Sequence, residues 1–493
     1  MTSSQRFAAE LIGQLASLGV IDFYLAPGAR SQALALAIRQ LEKAGRAKLT
    51  VRIDERSLGF TALGRALGSG QPAVVVTTSG TAVANLHPAV LEAHHAGVPL
   101  IVLSADRPAG LRGKGANQTT NQVGIFADAV RLMIDCDAGA DASLLAKRAV
   151  EAAIGSEARP GPVHLNLQFV EPLASPQPSS VDYLTDLAKP KRVNLESELS
   201  VEVASRAIVI AGAGGEAAAE FAQRARLPLL AEPSSGARHG HALTNYVDLL
   251  KAKLSEVEQV FVFGKPTLSR PVIAAVKDAE LWVQKSPSYE PFAIGDPAGI
   301  ADRLIPIGQG DPLWLAQWQA MPEESTRAAL VRAAWEATGP EDILYFGASE
   351  LIRVADKSVE PKVLRVYANR GLAGIDGSVS TAIGLAQSGS RVRAVIGDLT
   401  LLHDVGGLNR SGLQELDCQL IVGNDHGGKI FSHLEMADFL DAEDFEKLFT
   451  TPQQVDIAAL ASAYGWKHIR HRALGLEKVL AETTGFAIIE VEL

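Results

Sequence analysis

The segment Val392-Arg393-Ala394-Val395-Ile396-Gly397-Asp398 is a short apolar run that ends in a glycine and an acid. A second apolar run, Gln419-Leu420-Ile421-Val422, is followed by Asn424-Asp425-His426-Gly427. Short apolar runs closed by turn residues predict buried strands. In open parallel α/β sheets, ligands bind at the carboxyl ends of the strands. The two runs therefore predict a ligand site with an acid at the end of each strand.

Oxygen ligands at two strand ends suit magnesium, which takes one or two protein carboxylates together with substrate phosphates. We predict that Asp398, Asp425 and the carbonyl of Gly427 hold Mg²⁺, or Mn²⁺, on a diphosphate. Asn424 is the alternative ligand if the register is shifted by one residue, and His426 would suit only a softer metal. A Gly-Asp pair is more often an ordinary strand-to-turn junction, so this prediction depends on features elsewhere in the chain.

The length and composition of the chain restrict the classes of protein to which it can belong. Its 493 residues suit about three domains rather than a single core. A net charge of −10 argues against binding to nucleic acid or to a membrane surface, because both need a large basic face. The two cysteines, Cys136 and Cys418, fit neither a disulfide framework nor a metal site. With no signal-peptide core and no apolar run of about 20 residues, we expect a soluble cytoplasmic protein.

Short apolar runs alternate with helical patterns along the chain, which predicts parallel α/β domains. We predict three doubly wound parallel-sheet domains, at 1–174, 193–308 and 314–493. A Pro/Ser-rich stretch at 174–180 and the basic residues near 189–192 indicate an exposed linker between the first two domains. The predicted strands are 22–26, 49–52, 73–77, 100–104, 131–134, 163–167, 207–211, 227–230, 259–263, 280–283, 343–346, 392–396, 419–422 and 487–491. The predicted helices of the first domain are 30–44, 55–67 and 82–96.

A glycine-rich turn, Gly212-Ala213-Gly214-Gly215, follows one of these strands. The full dinucleotide-binding pattern needs a further glycine where this chain has Ala217, although Glu232 does follow the next strand. We therefore interpret the central domain as an architectural domain of nucleotide-binding type, and nucleotide binding is the less favoured alternative.

Glu55 lies at the end of a predicted strand, within Val51-Arg52-Ile53-Asp54-Glu55-Arg56. An acid that opens a helix is usually a solvated cap. A magnesium-diphosphate domain paired with a strand-end glutamate in a separate domain is, however, what thiamine diphosphate requires. Its diphosphate needs the metal, and its aminopyrimidine needs a carboxylate at N1′. That hydrogen bond favours the imino form, whose nitrogen accepts the proton of thiazolium C2, so we predict Glu55 as the catalytic residue.

These motifs belong to a longer set, through which the chain resembles the 2-succinyl-5-enolpyruvyl-6-hydroxy-3-cyclohexene-1-carboxylate synthases nearly end to end. The matching segments are 27–31, 53–56, 78–85, 104–108, 115–118, 369–371, 374–377, 397–400 and 427–431. The resemblance implies the three-domain α/β fold of thiamine diphosphate-dependent enzymes. It implies decarboxylation of 2-oxoglutarate and addition of the succinyl carbanion equivalent to isochorismate, with release of CO2, in menaquinone biosynthesis. It also implies a homodimer or homotetramer whose cofactor is shared between the first domain of one chain and the third of another.

Both implied substrates are dicarboxylates, so the site must present cations, and arginine binds carboxylates through its planar fork. By the resemblance, the residues that bind isochorismate are Arg30, Arg107, Gln118 and Arg270, and Ser31 and Asn117 are further predicted substrate-binding residues. Those that bind 2-oxoglutarate are Ser349, Arg353 and Arg370. Those that contact the cofactor are Glu55, Thr81, Ile375, Gly397, Asp398, Leu399, Asp425, Ile430 and Phe431. Ile375 corresponds to the bulky apolar residue that holds the two cofactor rings in a bent form.

Two positions depart from the family pattern. Ala29 stands where the family usually has serine, so a hydroxyl expected near isochorismate is absent and Ser31 is its nearest substitute. Asp425 stands where the metal motif usually has asparagine. The extra anion strengthens attraction to the metal but repels phosphate.

Two other functions stay open on the sequence. Another thiamine-dependent 2-oxoacid decarboxylase or carboligase would need a site for a monocarboxylate or an uncharged acceptor, which the set of arginines disfavours. An inactive homologue that serves as a scaffold would be indicated by the loss of Glu55 or Asp398, and both residues are present.

Overall fold

The computed structural model describes residues 1–176, 190–192 and 197–493. The chain forms two compact units. The first unit is Met1–Asn194 with Val379–Ser388 and Gly406–Gln414, and the second is Leu195–Ser378 with Gly389–Val405 and Glu415–Leu493. Part of the predicted linker, 177–180 and 189, lies outside the described residues, and the predicted domain boundaries stay predictions. Within the described ranges, no helix has both the length and the apolar character needed to cross a membrane.

The first unit contains a six-stranded parallel sheet. Its strands are β1 (Asp22–Leu25), β2 (Lys48–Val51), β3 (Ala73–Thr77), β4 (Leu100–Asp106), β5 (Leu132–Asp137) and β6 (Val163–Gln168). The strand order is β2-β1-β3-β4-β6-β5. Continuous apolar strands such as β3, which is buried along its whole length, are typical of a parallel sheet covered on both faces.

The first of the helices that accompany this sheet precedes β1, and the others lie between its strands. They are α1 (Ser3–Ser17), α2 (Gln32–Lys43), α3 (Glu55–Ser69), α4 (Thr81–Ala84), α5 (His87–Ala96) and α6 (Ala142–Ile154). Apolar residues of α1, α2 and α6 share one core with the strands, whereas α3 packs on β3 and on α5. The side chain of Asp54 accepts hydrogen bonds from the backbone N–H groups of Arg56 and Ser57. This cap begins α3 at Glu55, four residues after the end of β2.

The second unit contains two larger parallel sheets and a two-stranded pair. Its strands are β7 (Glu198–Glu202), β8 (Ala207–Ala211), β9 (Leu229–Ala231), β10 (Gln259–Phe263), β11 (Glu280–Gln284), β12 (Gly299–Ala301), β13 (Arg303–Ile307), β14 (Ile343–Phe346), β15 (Arg365–Ala368), β16 (Val392–Gly397), β17 (Cys418–Asn424), β18 (Lys467–His471) and β19 (Phe486–Glu492). The five-stranded sheet has the order β12-β11-β10-β8-β9, and β13 pairs with β7. The six-stranded sheet has the order β15-β14-β16-β17-β19-β18.

The helices in the rest of the chain connect these parallel strands, as parallel pairing requires. They are α7 (Ala218–Ala225), α8 (Tyr246–Lys253), α9 (Arg270–Asp278), α10 (Pro312–Ala316), α11 (Thr326–Ala337), α12 (Glu350–Ser358), α13 (Ser378–Ala386), α14 (Asp398–His403), α15 (Ala442–Phe445), α16 (Ile457–Ala463) and α17 (Leu476–Glu482). All of α13 except Ser378 lies in a segment of the first unit.

The two six-stranded sheets share one topology. In each sheet the first strand lies between the second and the third, so the chain proceeds in opposite directions from two adjacent strands. Such a reversal leaves a crevice at the carboxyl ends of those strands, where ligands bind. In the first unit, β1 and β3 lead to the predicted residues Arg30 and Thr81. In the second, β14 and β16 lead to Ser349 and Asp398.

Each predicted strand is present, with ends that differ by at most a few residues. The helix predicted at 82–96 is divided, because α4 ends at Ala84 and α5 begins at His87. The glycine-rich turn after β8 has a packing role, since a Cβ at Gly212 would lie 2.0 Å from the backbone nitrogen of Pro266. This close approach of two loops accounts for the glycine without a nucleotide.

Candidate cofactor and substrate site

A cavity of about 250 Å³ lies beside the carboxyl ends of β14, β16 and β17. It brings together Asp398, Asp425 and Gly427, the three predicted metal ligands. The other predicted site residues that line it are Ser349, Ile375, Gly397, Leu399, Ile430 and Phe431. The predicted cofactor residues that belong to the second unit therefore surround one space.

The turn after β17 requires glycine at position 427. Its φ is +135°, and a Cβ there would lie 2.3 Å from the carbonyl oxygen of Thr450. A side chain is excluded on both grounds, because L residues rarely adopt this conformation and the space is occupied. Backbone atoms therefore form this part of the cavity wall, as a carbonyl ligand at Gly427 would need.

The acids of the cavity lie in a poorly hydrated environment. Asp398 is 6% exposed, and its pKa is raised mainly by burial. The backbone N–H groups of Leu399 and Gly427 oppose this rise, whereas the nearby charge of Asp425 adds to it. A cation between two carboxylates relieves such repulsion, so these oxygens fit Mg²⁺ or Mn²⁺.

A buried hydroxyl also faces this region without a hydrogen-bond partner among the described residues. It belongs to Ser349, which precedes α12 and lines the cavity. Because an unpaired buried polar group costs free energy, a ligand that supplies a partner is favoured here. The orphan hydroxyl and the paired acids together suit a phosphate-bearing cofactor with a metal.

Arg327 is a cavity residue that the sequence analysis did not identify. It lies near the start of α11, and its Nη2 atom is 2.8 Å from Oδ2 of Asp425. The two partners are 98 residues apart, and no local pattern in the sequence connects them. The carboxylate that departs from the family pattern is therefore paired with a cation.

The three residues predicted for 2-oxoglutarate all lie in the second unit. The guanidinium of Arg353 donates to the carbonyl of Ser349 at 3.1 Å. Arg370 is buried and donates through Nε to the hydroxyl of Thr267 at 3.1 Å. The pKa of Arg353 is lowered by partial removal from water and then by the charge of Arg370. Two mutually repelling cations close to the cavity favour an anionic ligand.

Glu232 is a second residue that the sequence analysis did not assign to the site. One of its oxygens accepts hydrogen bonds from the backbone N–H groups of Thr267 and Leu268, at 2.6 and 2.7 Å. Thr267 in turn accepts from Arg370. Burial raises the pKa of Glu232 to about 7, and the charge of Arg370 opposes the rise. The carboxyl therefore fixes the loop that holds one of the predicted substrate cations.

Glu232→Gln is expected to stabilise the protein at pH 8 but not at pH 5. Burial raises the pKa of Glu232 to about 7 in the folded protein. The carboxyl group therefore contributes fully to the free energy of unfolding when the pH is below its pKa in the unfolded chain, and this contribution is lost as the pH rises through 7. Glutamine keeps an acceptor oxygen for the two N–H groups and carries no charge. The gain at pH 8 should be on the order of 2–3 kcal/mol, measured by thermal unfolding across this pH range.

The matched control for this test is Glu220→Gln, since that side chain is 77% exposed. Its unfolding temperature should follow the wild type at every pH. A Glu232→Gln variant whose difference from the wild type does not change between pH 5 and pH 8 would contradict the burial of a titrating carboxyl.

Glu55 is half-buried at the first turn of α3 in the first unit. The side-chain amide of Asn85 donates to its Oε2 atom at 3.5 Å, the long limit of a hydrogen bond. The carboxylate is held only weakly by this contact. It is therefore free to accept a stronger hydrogen bond from a ligand.

Three of the residues predicted for isochorismate lie close together in the first unit. The guanidinium of Arg107 is buried and donates to the backbone carbonyl of Gln118 at 2.7 Å. The pKa of Arg107 is lowered by burial and then by the charge of Arg30, which places the two cations near each other. Arg30 also pairs with Glu171 at 3.3 Å. This part of the site therefore presents two arginines, with Asp106 and Glu171 as nearby acids.

The remaining predicted residues of this unit differ in exposure. Asn117, Gln118 and Thr81 are exposed, and Gln118 has a positive φ of 53°. The hydroxyl of Ser31 is buried and donates to the carbonyl of Gly28 at 3.1 Å. Ser31 thus donates to the backbone, its oxygen can still accept a hydrogen bond, and its role in substrate binding stays a prediction.

A buried polar network supports these loops, and the sequence analysis did not foresee it. Gln122 accepts from the backbone N–H of Gly80 at 2.9 Å and donates to Asn166 at 2.8 Å. Asn166 donates to Asp106 at 2.9 Å, and Asp106 accepts from the backbone N–H of Arg107 at 2.7 Å. Satisfied buried networks rigidify their surroundings, so the loops that carry Thr81 and Arg107 are held in fixed positions.

Arg270 is the only residue predicted for isochorismate that belongs to the second unit. It begins α9 and pairs with Glu435 at 2.7 Å, with both side chains largely exposed. An exposed pair of this kind contributes little to stability, so the arginine remains available to a substrate carboxylate.

Two family models and several curated proteins are similar to this chain. Residues 5–125 match the thiamine pyrophosphate enzyme N-terminal TPP binding domain, and residues 354–491 match the corresponding C-terminal TPP binding domain. A protein of Leifsonia xyli named 2-succinyl-5-enolpyruvyl-6-hydroxy-3-cyclohexene-1-carboxylate synthase is 42% identical, over 99% of this chain and 96% of that protein. Proteins of the same name from Kineococcus radiotolerans and Mycobacterium marinum are 41% and 37% identical, each over 100% of this chain.

These matches confirm the predicted fold class and support thiamine diphosphate as the cofactor. They extend over nearly the whole length of both this chain and its relatives. The chain belongs to the 2-succinyl-5-enolpyruvyl-6-hydroxy-3-cyclohexene-1-carboxylate synthase family of thiamine pyrophosphate enzymes.

Proposed function

We propose that this chain uses thiamine diphosphate and a divalent metal to decarboxylate 2-oxoglutarate and add the succinyl unit to isochorismate. The products are 2-succinyl-5-enolpyruvyl-6-hydroxy-3-cyclohexene-1-carboxylate and CO2, a step of menaquinone biosynthesis. The observation that carries the proposal is the cavity that gathers Asp398, Asp425 and Gly427 with the orphan hydroxyl of Ser349. The names of the relatives support the choice of reaction.

The residues of the second unit hold the cofactor and the donor substrate in this proposal. When bound, thiamine diphosphate supplies the electron sink for decarboxylation. Asp398 and Asp425 hold the metal on its diphosphate, and Ile375 supports its rings. Arg353 and Arg370 bind carboxylate groups of 2-oxoglutarate, because a guanidinium binds a carboxylate through its planar fork.

The residues of the first unit activate the cofactor and bind the acceptor. The carboxylate of Glu55 accepts a hydrogen bond at N1′ of the aminopyrimidine and holds the proton there. Arg30, Arg107 and Gln118 orient isochorismate, and by the resemblance Arg270 is a further residue that binds it. By the resemblance, we further propose a homodimer or homotetramer in which the first unit of one chain and the second unit of another share the cofactor.

The direct test is a reaction with purified protein, thiamine diphosphate, Mg²⁺, 2-oxoglutarate and isochorismate. We expect equal consumption of the two substrates, one CO2 for each product, and a product mass that contains both carbon skeletons less CO2. Release of CO2 without consumption of isochorismate would indicate a simple 2-oxoacid decarboxylase instead. A protein that neither releases CO2 nor consumes isochorismate would be an inactive homologue.

Arginine variants should separate the donor and acceptor parts of the site. Arg107→Ala should still release CO2 from 2-oxoglutarate in a single turnover, while the apparent affinity for isochorismate falls. Loss of one charge-assisted carboxylate contact costs about 1.5–3 kcal/mol, or roughly one to two powers of ten. Arg353→Ala should already be defective in the release of CO2. Rapid-quench measurement of CO2 and steady-state titration of isochorismate make the comparison.

Arg112→Ala is not a suitable control, because that side chain pairs with Asp106 beneath the acceptor loop. Arg39→Ala, on the exposed surface of α2, is suitable and should leave both steps unchanged. If the Arg107 and Arg353 variants lose CO2 release equally and neither changes the dependence on isochorismate, the division into donor and acceptor parts is wrong.

A further inference from the structure

We propose that Arg327 is a specificity-determining residue of the metal-diphosphate site. Arg327 pairs with one oxygen of the Asp425 carboxylate and neutralises its charge. The other oxygen is then left to bind the metal, and the carboxylate no longer repels the diphosphate. The inference rests on the proposed binding of thiamine diphosphate in this cavity. It explains how the site tolerates an acid at position 425, where an extra anion would otherwise repel the diphosphate.

Among the described residues, only one of the two oxygens of the Asp425 carboxylate pairs with a cation. Arg327 Nη2 lies 2.8 Å from Oδ2, and no described contact engages Oδ1 with a cation. The side chains of Arg327 and Asp425 are 30% and 12% exposed, so the pair is largely shielded from water. An ion pair in such a place is stronger than a surface pair, and it removes one oxygen from competition for the metal.

The arginine is also held in position from other sides. The hydroxyl of Ser325 accepts from the backbone N–H of Ala328 and begins α11, the helix that carries Arg327. Arg327 Nε lies 3.9 Å from Oε2 of Glu350, a second acid of the cavity wall. The guanidinium therefore lies between two carboxylates, and its position does not depend on a single contact.

The charge of the cavity shows why this cation matters. Three acids line it, Glu350, Asp398 and Asp425, whereas its cationic side chains are Arg327 and Lys429. Without Arg327 the acids would outnumber the cations further, which favours a bare divalent metal but opposes an anionic diphosphate. Loss of the arginine should therefore change the two affinities in opposite directions.

A simpler role for Arg327 would be direct binding of phosphate oxygens. In that case removal of Arg327 would lower the affinity for the cofactor whatever residue stands at position 425. In the proposed role, its removal matters only while position 425 carries a charge. A double-mutant cycle separates these cases, because it measures whether two side chains act through each other.

The experiment compares wild type, Arg327→Gln, Asp425→Asn and the double variant by calorimetric titration of thiamine diphosphate at fixed Mg²⁺. Arg327→Gln should lower the affinity for thiamine diphosphate about tenfold or more, as expected for loss of a charge-assisted contact. In the Asp425→Asn background, the same substitution should lower the affinity for thiamine diphosphate by less than about threefold. Mn²⁺ binding without cofactor, followed by electron paramagnetic resonance, should become tighter in Arg327→Gln.

Arg332→Gln is the matched control, since Arg332 lies on the same helix and pairs with Glu324 away from the cavity. It should leave both affinities unchanged. Thermal unfolding verifies that each variant is folded. If Arg327→Gln is unfolded, Arg327→Met takes its place in the same double-mutant cycle, because it also removes the charge.

The outcomes distinguish this inference from the proposed function. A wild-type protein that binds no thiamine diphosphate would overturn both. If the wild type binds the cofactor and Arg327→Gln costs as much in the Asp425→Asn background as alone, Arg327 binds phosphate directly and the inference is wrong. It is also wrong if removal of the Arg327 charge changes neither affinity.

Discussion

Glu55→Gln is expected to lower turnover by about two orders of magnitude or more, the usual contribution of a general acid-base group. Glu55 is half-buried at the start of α3, and its only described hydrogen bond is the long contact from Asn85. A glutamine keeps the shape of the side chain but cannot hold a proton at N1′ as a carboxylate does. The fold and much of the cofactor affinity should remain.

The measurement is steady-state turnover, together with titration of thiamine diphosphate in the same preparations. Glu157→Gln, at an exposed position of the first unit, is the control and should behave as the wild type. A Glu55→Gln variant with turnover close to that of the wild type would remove Glu55 from the proposed mechanism. A variant that no longer binds the cofactor would show that the carboxylate serves binding rather than activation.

The fold could be predicted well wherever strands are buried on both faces. Strands such as β3, β8 and β10 read as continuous apolar runs because neither face meets water. Turn residues after these runs also marked their carboxyl ends. Since ligands bind at that edge of a parallel sheet, the same pattern that predicted the strands placed Asp398 and Asp425.

Three of the strands that the sequence did not predict, β7, β12 and β18, are short or polar. β7 and β18 carry charged and exposed residues along most of their length, and β12 has only three residues. Such segments lack the apolar run on which strand prediction depends. Their pairing is decided by neighbouring strands, so it becomes visible only in the folded chain.

The site residues that could be predicted from the sequence lie in motifs. Those that could not be predicted contact a site residue that is distant in the sequence. Arg327 pairs with Asp425 across 98 residues, and Glu232 reaches Thr267 from the preceding strand end. Arg327 lies in no motif, Glu232 was noted only as part of an incomplete dinucleotide-binding pattern, and a single arginine or glutamate is usually a surface residue. The burial of Glu232 could not be read from its neighbours in the sequence, because it arises from the packing of two loops.

The shared topology of the two six-stranded sheets was also hidden from the sequence. Repeats are recognised from similar residues at a fixed period, and no such period is present in this chain. The repetition lies in the order of strands and in the position of the crevice. Each sheet carries its predicted ligand residues at the same topological place, although the residues and their chemistry differ.

Asp398→Ala is expected to weaken the binding of thiamine diphosphate about a hundredfold or more. Changing even the partners of metal ligands costs about 10–100-fold in metal affinity, so loss of a ligand should cost at least the upper value. Asp398 is buried beside Asp425 and has its pKa raised by burial, which gives it a strong preference for a neighbouring cation. Treatment of the wild type with EDTA should reproduce the effect.

Thermal unfolding gives an independent measure of the same metal site. A ligand that binds only the folded state stabilises it by mass action, and at a concentration of about 100 Kd the gain is about 2.7 kcal/mol. The wild type should gain this stability from thiamine diphosphate only when Mg²⁺ or Mn²⁺ is present, and Asp398→Ala should gain little. Asp296→Ala, at an exposed position, should gain as much as the wild type. Equal affinity for the cofactor with and without a divalent metal would exclude a metal held between Asp398 and the diphosphate.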